Sequence, residues 1–236
     1  TIKPLGHLKV NHDIEALALH PLTWDLYAAS GKDTKKPGYL YKVNKITGEL
    51  LEIGPTGFAE IDGLSFQPIN TIDSFDEFLE NVGNFSSQPK NSTLWGWAQD
   101  VGLVTINTTT GKGTLVKEYA GEIEDLTWHS SGSILYGVEN LHRQNDGGVL
   151  LWAYDIKNNT LSTLCNELTS TLEIEALETL PNKSLRDDAL IFGIHGQTTL
   201  PVGVIDTVNC EIITVKEIHT DYNDIEGIAI TPSCHQ

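Results

Sequence analysis

The sequence predicts an all-β fold, a β-propeller, on three observations. First, one short phrase recurs five times, beginning at residues 13, 60, 122, 173 and 224. The copies are Asp13-Ile14-Glu15-Ala16-Leu17, Glu60-Ile61-Asp62-Gly63-Leu64, Glu122-Ile123-Glu124-Asp125-Leu126, Glu173-Ile174-Glu175-Ala176-Leu177 and Asp224-Ile225-Glu226-Gly227-Ile228. Second, four short apolar runs follow each complete copy, separated by turn residues. Third, the period is about fifty residues, the spacing of propeller blades.

In the first unit, Ile14 to Leu19 is an apolar run that stops at His20-Pro21. Asp25 to Ala29, Tyr39 to Val43 and Glu49 to Ile53 are the next three, with Lys32 to Gly38 a polar loop and Thr47-Gly48 a turn. The second unit has Ile61 to Phe66, Thr93 to Ala98, Leu103 to Asn107 and Thr114 to Glu118. An acidic, aromatic insertion, residues 69–90, interrupts it; Phe75, Phe78, Leu79 and Val82 recur at helical spacing, which predicts a short helix. The third unit has Ile123 to Trp128, Ile134 to Val138, Val149 to Tyr154 and Thr160 to Leu164, with a polar excursion from Asn140 to Gly148. The fourth has Ile174 to Leu180, Ala189 to Ile194, Val202 to Ile205 and Glu211 to Val215.

The phrase opens the innermost strand of each blade. Residues at its fourth position are small (Ala16, Gly63, Ala176, Gly227) because inner strands crowd at the axis. Five inner strands against four complete units predict five blades, the last a reduced closing blade of Ile225–Ile230 paired with Ile2–Val10 from the other terminus. The alternatives are a four-bladed ring with both end strands as extras, and a chain cut short of some strands. Residues 1–236 read as one propeller domain carrying the 69–90 insertion.

Side chains alternate along a strand, so the acids at positions one and three are expected on one face. Cyclic repetition brings the third-position set, Glu15, Asp62, Glu124, Glu175 and Glu226, to one height around the axis. The first-position set is Asp13, Glu60, Glu122, Glu173 and Asp224. Two carboxylates about 4 Å apart repel by about 4 kcal/mol at an effective dielectric of 20. No Lys or Arg recurs in or beside the phrase, so the expected counter-charge is a divalent cation. Calcium, with about six to eight oxygen ligands and tolerant geometry, suits a carboxylate ring better than magnesium. Zinc is disfavoured because neither Cys nor His repeats with the phrase. An acid here has a second use, accepting backbone N–H groups of the next blade and so locking the ring.

Asp224-Ile225-Glu226-Gly227-Ile228 resembles the Asp-x-Glu-Gly-Ile/Leu segment of phytase-like and esterase-like propellers. A Glu near the start of an inner strand is similar to the one that ligates a central divalent metal in gluconolactonase-type propellers. The resemblance covers about six residues per repeat and implies a propeller with an axial metal. Those families use mixed Asn and Asp ligands and a catalytic acid or His. The near-uniform phrase departs from that and points away from hydrolysis.

The function expected is therefore a non-catalytic, calcium-binding module with an acidic central channel and a protein or glycan partner. The alternatives are a metal-dependent hydrolase (esterase, lactonase or phosphatase) and a carbohydrate-binding propeller whose best platform is Trp95 with Trp97. His20 and His129, at equivalent strand ends, are candidate acid–base groups, with turn-packing the simpler role. His195 is a loop residue placed to reach the rim opposite His20 and His129, with a solvated loop histidine the simpler role. A net charge of -17 over 236 residues repels nucleic acid and anionic membranes and attracts cations. No apolar run is long enough for a membrane helix. The chain contains no Met and begins at Thr1, which reads as a processed or excised form, with a secreted or periplasmic location expected. Three Cys allow one disulfide, Cys210 with Cys234 as the expected pair, or three thiols.

Overall fold

A computed structural model describes residues 12–68, 92–141, 148–168, 173–180, 189–206, 208–222 and 225–230. The insertion's expected helix and the expected N-terminal strand lie outside these residues. The described residues form sixteen β-strands and no helix; none therefore supplies a helix long and apolar enough to cross a membrane.

The strands make four antiparallel sheets of four. The first is β1 (Ile14–Leu19), β2 (Leu26–Ser30), β3 (Tyr39–Val43) and β4 (Leu50–Pro55). The second is β5 (Ile61–Phe66), β6 (Leu94–Ala98), β7 (Gly102–Ile106) and β8 (Gly113–Glu118). The third is β9 (Ile123–Trp128), β10 (Ile134–Leu141), β11 (Gly148–Asp155) and β12 (Thr160–Leu168). The fourth is β13 (Ile174–Leu180), β14 (Ala189–Ile194), β15 (Thr199–Asp206) and β16 (Glu211–His219). Within each sheet spatial order equals chain order, so these are four propeller blades. The innermost strands β1, β5, β9 and β13 are neighbours in that sequence. Every residue of β5 is buried, while most of β16 is exposed, so burial falls from the axis outward. Asn140 and Leu141, expected in a polar excursion, instead extend β10 and pair with Val149 and Gly148 of β11.

The described residues thus form a four-bladed propeller, and the expected five blades are not formed among them. Ile225–Ile230 carries no strand. It nevertheless lies where an inner strand would lie, between the fourth and first sheets. Ile225, Ile228 and Ile230 pack against Ile191, Leu200 and Val202. On the other side, a methyl group added to Gly227 would fall 2.8 Å from the Leu17 amide nitrogen. The apolar pattern of the fifth phrase records burial between two sheets, which does not require pairing in a ladder. Gly63 is confined in the same way: a methyl group added there would fall 3.0 Å from the Asp125 backbone, across the second and third blades.

Apolar side chains fill the seams between blades. One cluster joins the first and second sheets through Ala16, Leu40, Ile61 and Leu64. Another joins the second and third through Trp97, Leu103, Ile123 and Leu126. A third joins the third and fourth through Val138, Leu151, Ile174 and Phe192. No blade buries both faces alone, so stacking supplies the core.

The outer hairpins share one turn. The side chains of Asn44, Asn107, Asp155 and Asp206 each accept the amides two and three residues on, at 2.9–3.2 Å. Four residues after each comes a positive-φ position, held by Gly48, Gly111, Asn159 and Cys210. In the fourth blade this slot aims a thiol, and Cys210 is disulfide-bonded to Cys165 of β12. The expected Cys210–Cys234 pair is therefore replaced by one that ties the third blade to the fourth. It closes a loop with a sequence separation of 45 residues. Replacing both Cys165 and Cys210 by Ser is expected to cost about 2–4 kcal/mol in urea unfolding, with reductant lowering the parent protein by the same amount.

Candidate cation site at the acid end of the axis

Each inner strand has a register shift at the phrase. In β1 the ladder passes from Ile14 to Ala16, in β5 from Ile61 to Gly63, in β9 from Ile123 to Asp125, and in β13 from Ile174 to Ala176. The residue skipped is the third-position acid every time: Glu15, Asp62, Glu124 and Glu175. A bulged residue leaves the ladder and its side chain is re-aimed. Strict alternation therefore does not hold at the phrase, and the acids are turned by four equivalent bulges.

Three of these acids share one electrostatic neighbourhood. Asp62 is 8% exposed. Burial, then the charges of Glu60, Glu124 and Glu15, push its carboxyl up to about 9, with Lys32 opposing. Burial also raises Glu15 to about 7, followed by the charge and hydrogen bond of Asp13 and the charges of Glu60 and Glu124. Carboxylates from the first, second and third blades thus meet at one end of the axis. Glu175 meets Glu173 and His195 in the fourth blade. Glu226 is half-buried on the segment between the fourth and first sheets. Asp224 lies outside the described residues.

The first-position acids are held individually. Asp13 has φ 43°, and its Oδ2 accepts the Asp33 amide at 2.6 Å. Glu60 pairs with Lys32 at 3.1 Å, and the same ammonium reaches Gln99 Oε1 at 3.1 Å. The expectation that no base partners the phrase is corrected here: Lys32 comes from the β2–β3 loop, far from the phrase in sequence. Glu122 is half-buried and Glu173 is exposed.

The inter-blade lock falls to a different acid. Asp125 occupies the crowded fourth position and is buried. Its carboxylate accepts the Leu126 amide in its own strand and the Leu177 amide of the fourth blade, both at 2.8 Å. The Leu64 amide of the second blade also bonds to it. Burial pushes this carboxyl well above the ordinary range, while these three amides pull it down. Below it, Thr127 Oγ1 contacts Thr179 Oγ1 at 2.9 Å and accepts the Thr179 amide at 3.0 Å.

On each second strand the phrase Ile is paired with one residue (Ser30, Ala98, Glu139 or Ile194), and the residue after that partner faces the start of the inner strand. These positions hold Gly31, Gln99, Asn140 and His195. A methyl group on Gly31 would lie 2.7 Å from Glu15 Oε1 and 2.8 Å from Asp13 Oδ2, so the absent side chain leaves room for two carboxylates. Asn140 bonds Ile174 of the next blade at both N–H and C=O, 3.0 and 3.1 Å. His195 lies at the acid end, the rim opposite His20 and His129, because β14 runs antiparallel to β13 and returns there. Its Nδ1 is 2.6 Å from Glu175 Oε1.

The two histidines at inner-strand ends serve turns. His20 Nδ1 accepts the Leu22 and Thr23 amides, both at 3.2 Å, and His129 Nδ1 accepts Ser131 N–H at 3.1 Å. Trp95 and Trp97 are buried at 5% and 1% exposure, packed against Trp128 and Tyr119 respectively. A sugar-stacking platform needs open ring faces, so this removes the main support for a carbohydrate-binding propeller.

No protein-family model matches the chain, and no curated protein matches it. Among solved structures it is similar to an auxiliary nutrient binding protein from Bacteroides thetaiotaomicron, at 13% identity and a TM-score of 0.49. The likeness covers 81% of this chain and 44% of that one, so the chain spans less than half the length of that protein.

Proposed function

We propose that the chain is a binding module that takes a divalent cation, calcium, at the acid end of its axis. Glu15, Asp62 and Glu124 form the core of the ligand set, and Glu175 and Glu226 complete the ring. The observation that carries this reading is the meeting of three bulge-borne carboxylates from three separate blades, one of them buried. The three stand far apart in sequence, yet Glu124 raises the proton affinity of Glu15 and Asp62, and Glu15 that of Asp62, a repulsion a cation would relieve. All-oxygen donors on irregular backbone fit calcium, which accepts varied geometry, better than magnesium, which requires a near-ideal octahedron.

The ion's role is to hold the blades at the axis and present an acidic rim to a partner, protein or glycan. The Cys165–Cys210 disulfide supports an oxidising, extracytoplasmic location. The test is calorimetric titration of chelator-treated protein with calcium, alongside thermal melts. Calcium is expected to bind and raise the melting temperature, and the Glu15→Gln, Asp62→Asn double variant to lose both responses. Absence of heat and of any shift at millimolar calcium would overturn the proposal.

A further inference from the structure

The fourth blade differs from the other three at one position, and the difference is chemical. Where they place Gly31, Gln99 and Asn140, it places the imidazole of His195. Ligand atoms of Glu173, Glu175 and His195 all lie within 4.8 Å of one another. The first two sit on the strand start, where the bulge between Ile174 and Ala176 re-aims Glu175.

The histidine is fixed to the same pair by its backbone. Its N–H donates to the Glu173 carbonyl at 3.0 Å. It occupies a tight turn closed by Gln197 N–H to Ile194 C=O at 3.2 Å, with Gly196 at φ +70°. The imidazole is thus mounted on a short hydrogen-bonded turn beside the two carboxylates. Such mounting is what a preorganised ligand set requires.

We propose that Glu173, Glu175 and His195 form a second metal site, for a divalent transition metal of the zinc class, at the fourth-blade edge of the acid end. It shares Glu175 with the calcium reading but stands on His195, which that reading does not use. An imidazole nitrogen with two carboxylate oxygens is a mixed donor set, which zinc-class ions take and calcium does not favour. Two carboxylates and a neutral imidazole balance the charge of a divalent ion. Three protein ligands leave the fourth position of a tetrahedron to water.

Nδ1 and Oε1 now stand 2.6 Å apart, a hydrogen-bond separation. A metal held at about 2.0–2.2 Å from each ligand needs them somewhat further apart. The His195 side chain is 53% exposed and has room to make that adjustment. The metal would replace the proton between the two atoms.

The test uses the full chain stripped of metal and titrated with zinc chloride alone, then with cobalt(II) as a spectroscopic stand-in. One equivalent of zinc should bind, and cobalt should give the visible bands of a four- or five-coordinate centre that zinc then displaces. Loss of a supporting partner alone costs a metal site about 10–100-fold in affinity, so His195→Gln should cost at least that. The same variant should keep its calcium response and its melting temperature without metal. Asp62→Asn should do the reverse, keeping zinc and losing calcium. Zinc affinity unchanged within about twofold in His195→Gln, measured on a scale where loss of one ligand costs tenfold or more, would overturn the proposal. Loss of zinc and calcium together in that variant would overturn it as a site of its own. Failure of calcium binding in the parent protein, with zinc and cobalt binding intact, would overturn the calcium reading and leave this one standing.

Discussion

Replacing Asp125 by Ala is expected to destabilise the protein more than any other single carboxylate change at the axis. The carboxylate is buried and accepts amides from its own strand and from both neighbouring blades. Alanine leaves those N–H groups buried without an acceptor, at about 1–3 kcal/mol each, so a total on the order of 4 kcal/mol or more is expected. That is a large share of a typical domain stability of about 5–15 kcal/mol. For a chain of this size each kcal/mol moves the melting temperature by about 2–4 °C, so a drop of roughly 10 °C or more should follow. Asn at this position keeps one oxygen but turns an amide NH2 toward a backbone N–H, and should recover less than half of the loss. Both neutral and ionised carboxyl groups accept these bonds, so the penalty should persist across mildly acid and neutral pH. A midpoint for Asp125→Ala within about 0.5 kcal/mol of the parent would show that the blades are not locked here, since that is the scatter of ordinary surface changes.

Without metal, the protein should lose stability as pH rises from about 4 to about 9, the interval between ordinary and raised carboxyl values. Asp62 is raised to about 9 and Glu15 to about 7 in the folded chain. Unfolded, both return to about 4, so between the two values the native state holds protons that the unfolded state has released. Their stabilising contribution is full below about 4, is lost for Glu15 as pH climbs through about 7, and is lost for Asp62 as pH climbs through about 9. Asp62→Asn removes the more strongly raised of the two. It should flatten the profile and leave the metal-free variant more stable than the parent at pH 8, by at most about 1.4 kcal/mol for each pH unit of lost slope. Calcium should help the parent more at pH 8 than at pH 6, because protons and cation compete for the same oxygens. It should not help the variant. Parallel pH profiles for the two proteins, by melting or urea unfolding, would show that Asp62 carries no such load. A residue whose removal stabilises the empty protein is one kept for what it binds.

All sixteen strands were legible because runs of apolar residues between turn signals report ladders well when each run has a neighbour on either side. The same rule failed at Ile225–Ile230, where burial between two sheets produces the pattern without pairing. The acid phrase marked the start of each inner strand but hid two things. Bulges decide where its third residue points, and a bulge follows from packing at the axis rather than from composition. The locking acid is Asp125, the one copy in which the small fourth residue is replaced, and that departure from the repeat was the available signal. Lys32 reaches the phrase from the β2–β3 loop, so sequence distance concealed it. For His195 the clue was topological: an antiparallel second strand ends where the first begins. The cysteine pairing needed the turn slot that repeats as Gly48, Gly111, Asn159 and Cys210, visible only when the four hairpins are aligned.

The seams of this ring are not equal in kind. Gly63 meets Asp125 across 62 residues of chain (125 − 63), whereas Ala16 meets Gly227 across 211 (227 − 16). Closing the longer loop costs about 1 kcal/mol more in chain entropy. The seam between the third and fourth blades is riveted by the Cys165–Cys210 bond. The seam at Ile225–Ile230 is made by a segment that belongs to no sheet. Chain entropy and missing strand pairing fall on the same place, so this is where the ring would spring open first, like the gap in a split washer. Glu226 sits on that gap, so an ion drawn to it would act as a clasp across the weakest join.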